Sequence, residues 1–279
     1  MSVIDGIQAV NENLLAIAKI GASAALRAPV IAKSKIITEI VTGEDLAPMI
    51  ELAGIAGETN AFVQGDYVVA KKAREAGTPI AELLIGVDAT VSDLAWNCGA
   101  CGFDTCAEFN RYSKEHKSPG KYMLGPSCNW KILDHGMAMS YAAAAISAMN
   151  VECRMQADYG SFALLLGHLE GCSMCVGISL GPYGESVWYN RAGSVDSFTM
   201  AEHVEFMQAT LPQMFVAFVG DGHPPFKSGP VWVKDPKFFK AVDDPKFMAK
   251  KAEAGARIGQ IIAREMSKKA AKKEAKKKK

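Results

Sequence analysis

Hydrophobic side chains recur at helical spacing over residues 5–26 (Ile7, Val10, Leu14, Ile17, Ala18), which predicts an amphipathic helix. A second helix is expected to begin at Thr42-Gly43-Glu44-Asp45. Thr42 would cap it there, with Asp45 three residues on, in a variant of the capping box. A third is expected over residues 66–76, stopped by Gly77-Thr78-Pro79. The run Ala81-Glu82-Leu83-Leu84-Ile85-Gly86-Val87 reads as a buried strand. Residues 134–149, rich in Ala and Met at helical spacing, read as a buried helix, and residues 158–169 as another. Two strands are expected at 174–180 and 186–189, joined by a turn containing Gly181-Pro182-Tyr183-Gly184. Strands separated by helices predict an α/β fold, a mixed α+β layered domain, over residues 1–192.

The remainder has another pattern. Residues 200–218 read as a helix interrupted at Pro212, followed by the turn-rich Gly220-Asp221-Gly222-His223-Pro224-Pro225. Asp235-Pro236-Lys237-Phe238 recurs as Asp244-Pro245-Lys246-Phe247, and each copy offers an Asp cap with Pro at the first helical position. Residues 193–266 are therefore expected to form a C-terminal helical and extended arm, laid over the main domain or over a neighbouring subunit. Its aromatics (Phe226, Trp232, Phe238, Phe239, Phe247) need a covering surface, which leaves a homo-oligomer or hetero-complex and packing on the chain's own domain as open alternatives. Residues 267–279 read as a Lys-rich, disordered tail.

Composition narrows the class. With 49% hydrophobic and 22% charged positions in 279 residues, the chain has the makings of a sizeable core. No apolar run reaches the roughly 18–20 residues that span a bilayer. The N-terminus carries no basic leader followed by an apolar stretch, so a cytoplasmic location is expected. The net charge of +1 hides a body of about −6, because eight lysines and one acid lie beyond Met266; removing them leaves 23 basic and 29 acidic residues. An acidic body excludes a nucleic-acid binder in the ordinary sense, leaving the lysine tail as the part that would touch a polyanion.

Seven cysteines change the picture most. Asn97-Cys98-Gly99-Ala100-Cys101-Gly102-Phe103-Asp104-Thr105-Cys106 is completed by Gly125-Pro126-Ser127-Cys128, a C-x2-C-x4-C-x21-C spacing. A close trio and a remote fourth thiolate suit a [4Fe–4S] cube, which takes one cysteine per iron. Gly99 and Gly102 fit a loop wrapped round a bulky group, and Asp104 or Thr105 would cap a short helix carrying Cys106 and Phe109. Structural zinc takes four cysteines too, but its ribbons use two matched C-x2-C knuckles, and the C-x4-C arm is not one. Unliganded thiols are the third alternative.

These residues resemble the hallmark of a family of ferredoxin-domain-containing proteins found mostly in anaerobic bacteria and archaea: an Asn-Cys-Gly-x-Cys-Gly-Phe-x-x-Cys run after a strand, a Gly-Pro-x-Cys element and an Asp-x-Gly-x-Ala helix. Here these are residues 97–106, 125–128 and Asp134-His135-Gly136-Met137-Ala138. Gly177-Ile178-Ser179-Leu180 and Trp188-Tyr189-Asn190-Arg191 match the later strand pair, so the resemblance covers roughly residues 10–192. A looser similarity extends to the cluster domain of the corrinoid iron–sulfur protein. The resemblance implies Cys98, Cys101, Cys106 and Cys128 as cluster ligands. The element order is also similar to that of nitroreductase-like flavoproteins, which would imply FMN; their arginine-rich N-terminal phosphate clamp is absent, since Arg27 is the sole arginine in the first seventy residues. Cys153, Cys172 and Cys175 depart from the family pattern.

Cys172-Ser173-Met174-Cys175 is a second C-x2-C. With Cys153 and His168, or a cysteine from a partner chain, it would make a second cluster or a zinc site; otherwise these thiols are small buried hydrophobes. No Walker or Rossmann loop is present, and Gly177, Gly181 and Gly184 have the wrong spacing. His135 and His203 read as packed or solvated, and no catalytic set is expected. The function expected is electron transfer to or from a partner oxidoreductase. The alternatives are a flavin-dependent reductase with an accessory cluster and a metal-stabilised structural or assembly subunit.

Overall fold

In a computed structural model, residues 3–119, 123–181 and 245–277 are described. Helix α1 (Gly6–Arg27) is followed by strand β1 (Ile37–Thr42), a 3-10 turn (Gly43–Leu46), α2 (Ala47–Gly57), α3 (Ala61–Glu75) and β2 (Ala81–Val87). Then come α4 (Cys106–His116), the short pair β3 (Ser118–Pro119) and β4 (Leu124–Gly125), and α5 (Asn129–Ala148). The core continues with β5 (Glu152–Gln156), α6 (Ala157–Leu165) and β6 (Met174–Gly181); helix α7 (Pro245–Lys277) is the last described element.

β1, β2, β6 and β5 form one sheet in that order, every pair antiparallel. The central strands β2 and β6 are buried along their whole length because both faces are covered. Alternation divides them cleanly. Leu83, Ile85, Ile178 and Leu180 pack with Leu14 and Ala18 of α1 and Ala138, Ala142 and Ile146 of α5. Leu84 and Cys175, on the opposite face, pack with Met49 and Leu52 of α2, Val63 and Ala70 of α3, and Phe162 of α6. The expected mixed α/β layered domain is thus a four-stranded sheet between two helical layers. At Gly160 the backbone of α6 lies so close on β6 that a Cβ would run into the carbonyl of Cys175.

Several boundaries differ from expectation. Thr42 ends β1 and its side chain makes no capping bond; Gly43, at φ 57°, turns the chain into the 3-10 segment instead. α3 starts a turn early, where Asn60 Oδ1 accepts from the Val63 amide at 3.5 Å. α6 stops at Leu165 because Gly167, at φ 73°, terminates it. α5 begins at Asn129, directly after Cys128, rather than at Asp134.

The lysine-rich stretch expected to be disordered continues α7 as far as Lys277. Alanine and lysine are strong helix formers. The first half of α7 is nucleated by packing, with Ala254 and Ile261 buried against α2 and with Arg257–Glu58 and Arg264–Glu51 ion pairs at 2.8 and 2.6 Å. This part of the arm therefore lies on the chain's own domain. The strand expected at 186–189, the helix at 200–218 with His203, the first Asp-Pro repeat and the aromatics Phe226, Trp232, Phe238 and Phe239 lie outside the described residues. No described helix is long and apolar enough to cross a membrane.

Candidate metal centre

The chain leaving β2 builds the site. Ala89 N donates to Ser173 Oγ at 2.8 Å and Cys128 N donates to Ala89 O at 2.8 Å, so the fourth cysteine is tied to the end of the central strand. Leu124 N to Ser173 O and Ser173 N to Val87 O, at 2.8 and 3.0 Å, stitch β4 to the same end of the sheet. Gly125-Pro126 is cis.

Asp134 and His135 of α5 have defined structural roles. Asp134, fully buried, accepts from the amides of Ile31, Ala32 and Ser34 at 2.6, 2.8 and 3.3 Å. The next residue, His135, donates from Nε2 to Ile85 O at 2.8 Å. Its partner is a carbonyl, which only accepts, so this nitrogen carries the proton. Burial holds the His135 imidazole below its ordinary range, consistent with a packed, neutral ring. Together the two residues fix α5 between the α1–β1 loop and β2, and thereby fix Cys128 at its N-cap.

Two of the four cysteines stand at helix N-termini. Cys106 is the first residue of α4, which Thr105 and Glu108 close with a reciprocal capping box. Cys128 is the N-cap of α5. The unpaired N–H groups at such ends favour a thiolate. In the loop ahead of Cys106, Ala95 and Asn97 adopt φ 53° and 50°, and Gly99 and Gly102 adopt φ 72° and 85°. Alternating backbone handedness of this kind turns successive N–H groups toward one side, a nest suited to an anion. Its effect is visible at Cys106. The Ser92 hydroxyl first, then the amides of Asn97, Trp96 and Ala95, hold that thiol below the ordinary range. The two glycines have open space where a Cβ would go, so it is their dihedral angle that favours glycine. Asn97 earns its place through its side chain, whose Oδ1 accepts from Cys106 N at 2.9 Å.

Cys98, Cys101, Cys106 and Cys128 line one small cavity with Ser92, Leu94, Trp96, Phe103, Asn129 and Trp130. Cys98 is exposed, Cys101 and Cys106 half-buried and Cys128 buried, so one side of the cavity meets solvent. Asn129 Nδ2 donates to Ala100 O, closing the cysteine loop onto α5. Trp96 and Trp130 meet edge to face at 5.5 Å between centroids. Ser92, Trp96, Asn129 and Trp130 were not anticipated from the sequence. The available signal was adjacency, since three of them flank Asn97-Cys98 and Cys128 directly. Among the described residues, no three His, Cys, Asp or Glu side chains stand together as a set able to hold a single metal ion.

The family described as "Uncharacterized protein containing a ferredoxin domain" (DUF2148) matches residues 124–191. The chain is also 30% identical over 190 residues to an "Uncharacterized protein" of Archaeoglobus fulgidus, an overlap of 65% of this chain and 94% of the relative. The chain belongs to the ferredoxin-domain family. The matched stretch holds Cys128, Asp134 and His135, while the leading cysteine trio lies before it. No solved structure matches the chain. A ferredoxin domain suggests iron–sulfur electron transfer for the family.

The second set of cysteines is not brought together. Cys153 belongs to the α1/α5 face of the sheet, where its Sγ lies 3.5 Å from Ser147 Oγ, while Cys172 and Cys175 belong to the opposite face. The strand period separates them: Cys153, in register with Leu180, shares the face of Ile178 and Leu180, and Cys175 has the other parity. His168 is engaged elsewhere, with Nδ1 2.7 Å from Glu39 Oε2. Burial pushes the Cys172 thiol up to about 11 and the Cys175 thiol well above the ordinary range, which suits neutral, packed side chains.

Proposed function

We propose that the chain is a [4Fe–4S] protein that passes single electrons to or from a partner oxidoreductase, with Cys98, Cys101, Cys106 and Cys128 as the ligands. The observation that carries the reading is that these four cysteines, spread over 31 residues of sequence, line one cavity. A cluster there would supply a one-electron couple. The chain's own residues do the rest. Two helix N-termini and the left-handed loop offset negative charge on the thiolates, and Asp134 and His135 keep the remote ligand in place. A single zinc needs its sulfurs about 2.3 Å from one centre. A cube takes one thiolate on each of four irons, and the C-x2-C-x4-C-x21-C spacing, which lacks a second matched C-x2-C knuckle, supports that arrangement over zinc. Trp96, 47% exposed, and exposed Cys98 mark the side where a redox partner comes closest. Seven free thiols fit a reducing, cytoplasmic compartment.

The test is anaerobic purification, iron, sulfide and zinc analysis per chain, and electron paramagnetic resonance of the dithionite-reduced protein. About four irons and four sulfides with a reduced-state signal support the reading. A colourless protein with stoichiometric zinc and no signal overturns it.

A further inference from the structure

Two hydrogen-bond donors in the wall of the cysteine cavity are not used by the fold. Ser92 is 4% exposed, and its backbone is clamped by Asn110, which accepts from Ser92 N and donates to Ser92 O, both at 2.7 Å. Its hydroxyl has no oxygen or nitrogen partner among the described residues, and Ser92 lines the cavity together with Cys106. Trp130 Nε1 is likewise buried and without a partner among the described residues, while its ring is fixed by Trp96. Both side chains line the cavity that holds the four cysteines. An indole nitrogen can only donate, and a buried donor left without an acceptor costs about 1–3 kcal/mol. Two such donors on one small cavity therefore point to an acceptor within it.

We propose that Ser92 and Trp130 are donors to the sulfur of the bound group and set its reduction potential. This rests on the reading of the cavity as a cluster site. Ser92 serves the Cys106 thiolate, which lines the same cavity, and Trp130 serves a second sulfur acceptor there. Reduction adds one negative charge to the cluster and its ligands. A hydrogen bond donated to sulfur becomes stronger when that charge arrives, so each donor favours the reduced state and raises the potential. The edge-to-face contact with Trp96 makes Trp130 a positioned donor rather than a freely rotating one.

Ser92→Ala and Trp130→Phe remove the donors while keeping a small side chain and an aromatic ring, respectively. Purified anaerobically, each is first measured for iron and sulfide per chain, then titrated with the reduced-state magnetic signal as readout. The expected result is full iron and sulfide with a lower potential in each variant. A tenfold loss of preference for the reduced state reads as about 59 mV. Full iron and sulfide with the wild-type potential in both variants overturns the proposal. Should Trp130→Phe lose the cluster by disturbing its packing, Ser92→Ala, which leaves the indole in place, decides alone. Wild-type protein without iron and sulfide would instead overturn the cluster reading itself, and this inference with it.

Discussion

The thiols of Cys106 and Cys175 show how differently one side chain behaves just beyond the end of β2 and inside the sheet beside that end. Cys106 opens α4 directly after a loop bent at several residues into left-handed conformations, and a hydroxyl and three amides lower its proton affinity. Cys175, the second residue of β6, packs among side chains of α2 and α6, where burial first and Glu82 second raise it. The first environment is made of backbone N–H groups and the second of apolar side chains. Cysteine count and a C-x2-C spacing do not distinguish them. What distinguishes them is how far the backbone turns its donors toward the sulfur. The loop gives Cys106 three amides, whereas the paired strands commit most N–H groups to their neighbours and the Ile85 amide only partly offsets burial at Cys175.

The contrast is most sharply broken at the ligands. Cys101→Ser is expected to drop iron and sulfide from about four to below one per chain, with lost order confined to the loop, whereas Cys172→Ala leaves both contents unchanged. Elemental analysis with near-ultraviolet circular dichroism checks both; equal loss from the two variants would erase the distinction. Next in size is Gly160→Ala, where a Cβ meets the carbonyl of Cys175. Urea unfolding should show a loss of about 1–3 kcal/mol, with iron per folded chain unaltered.

The sheet side also carries a pH signature. Glu82, 2% exposed, is pushed well above the carboxylate range by burial, and Asp158 is pushed up to about 6 by burial and then by Asp66. The Arg154–Asp66 ion pair at 3.2 Å lies in the same cluster. Between the ordinary value near 3.8 and about 6, the folded state holds more protons at Asp158 than the unfolded one. Stability therefore falls as pH rises through that window, by on the order of 2–3 kcal/mol for Asp158. Asp158→Asn should flatten that decline in melting temperature measured from pH 4 to 8. An unchanged slope would mean that another group carries it. The smallest effect is expected at Thr105→Ala, which removes the capping bond to Glu108 N at 3.1 Å and costs about 1 kcal/mol. It should loosen Cys106 enough to speed iron loss to a chelator without lowering the starting content.

Much of this contrast was legible in the sequence, for reasons that differ by element. β2 was bounded correctly because it is buried on both faces and so reads as a continuous apolar run. The helix start ahead of Cys106 was legible with Asp104 or Thr105 as the cap, and the structure selects Thr105, which forms a capping box with Glu108. β1 and β5 were missed. Among the described residues they are the edges of the sheet, half-buried and interrupted by Thr38, Glu39, Glu152 and Arg154, so their alternation is blurred. With β5 unseen, Cys153 could not be assigned a face, and its grouping with Cys172 and Cys175 followed from proximity along the chain. The donors Ser92 and Trp130 were invisible for another reason. Their role depends on a cavity that forms only when the ends of β2, α4 and α5 meet.

The anchoring of α5 by Asp134 and His135 bears on the order of events during maturation. Cys128 and Cys106 are held by helices whose stability comes from the sheet and from capping, so on the proposed cluster reading half the ligand set would stand in place before any iron arrives. On that reading the segment around Cys98 and Cys101, on the solvent side, is the part that a bound group would have to hold in place. At roughly 1–2 kcal/mol per residue fixed, this leaves a modest entropic cost to the loading step. A scaffold delivering a preassembled cluster would meet the exposed pair first and hand its load inward to a seat that is already built.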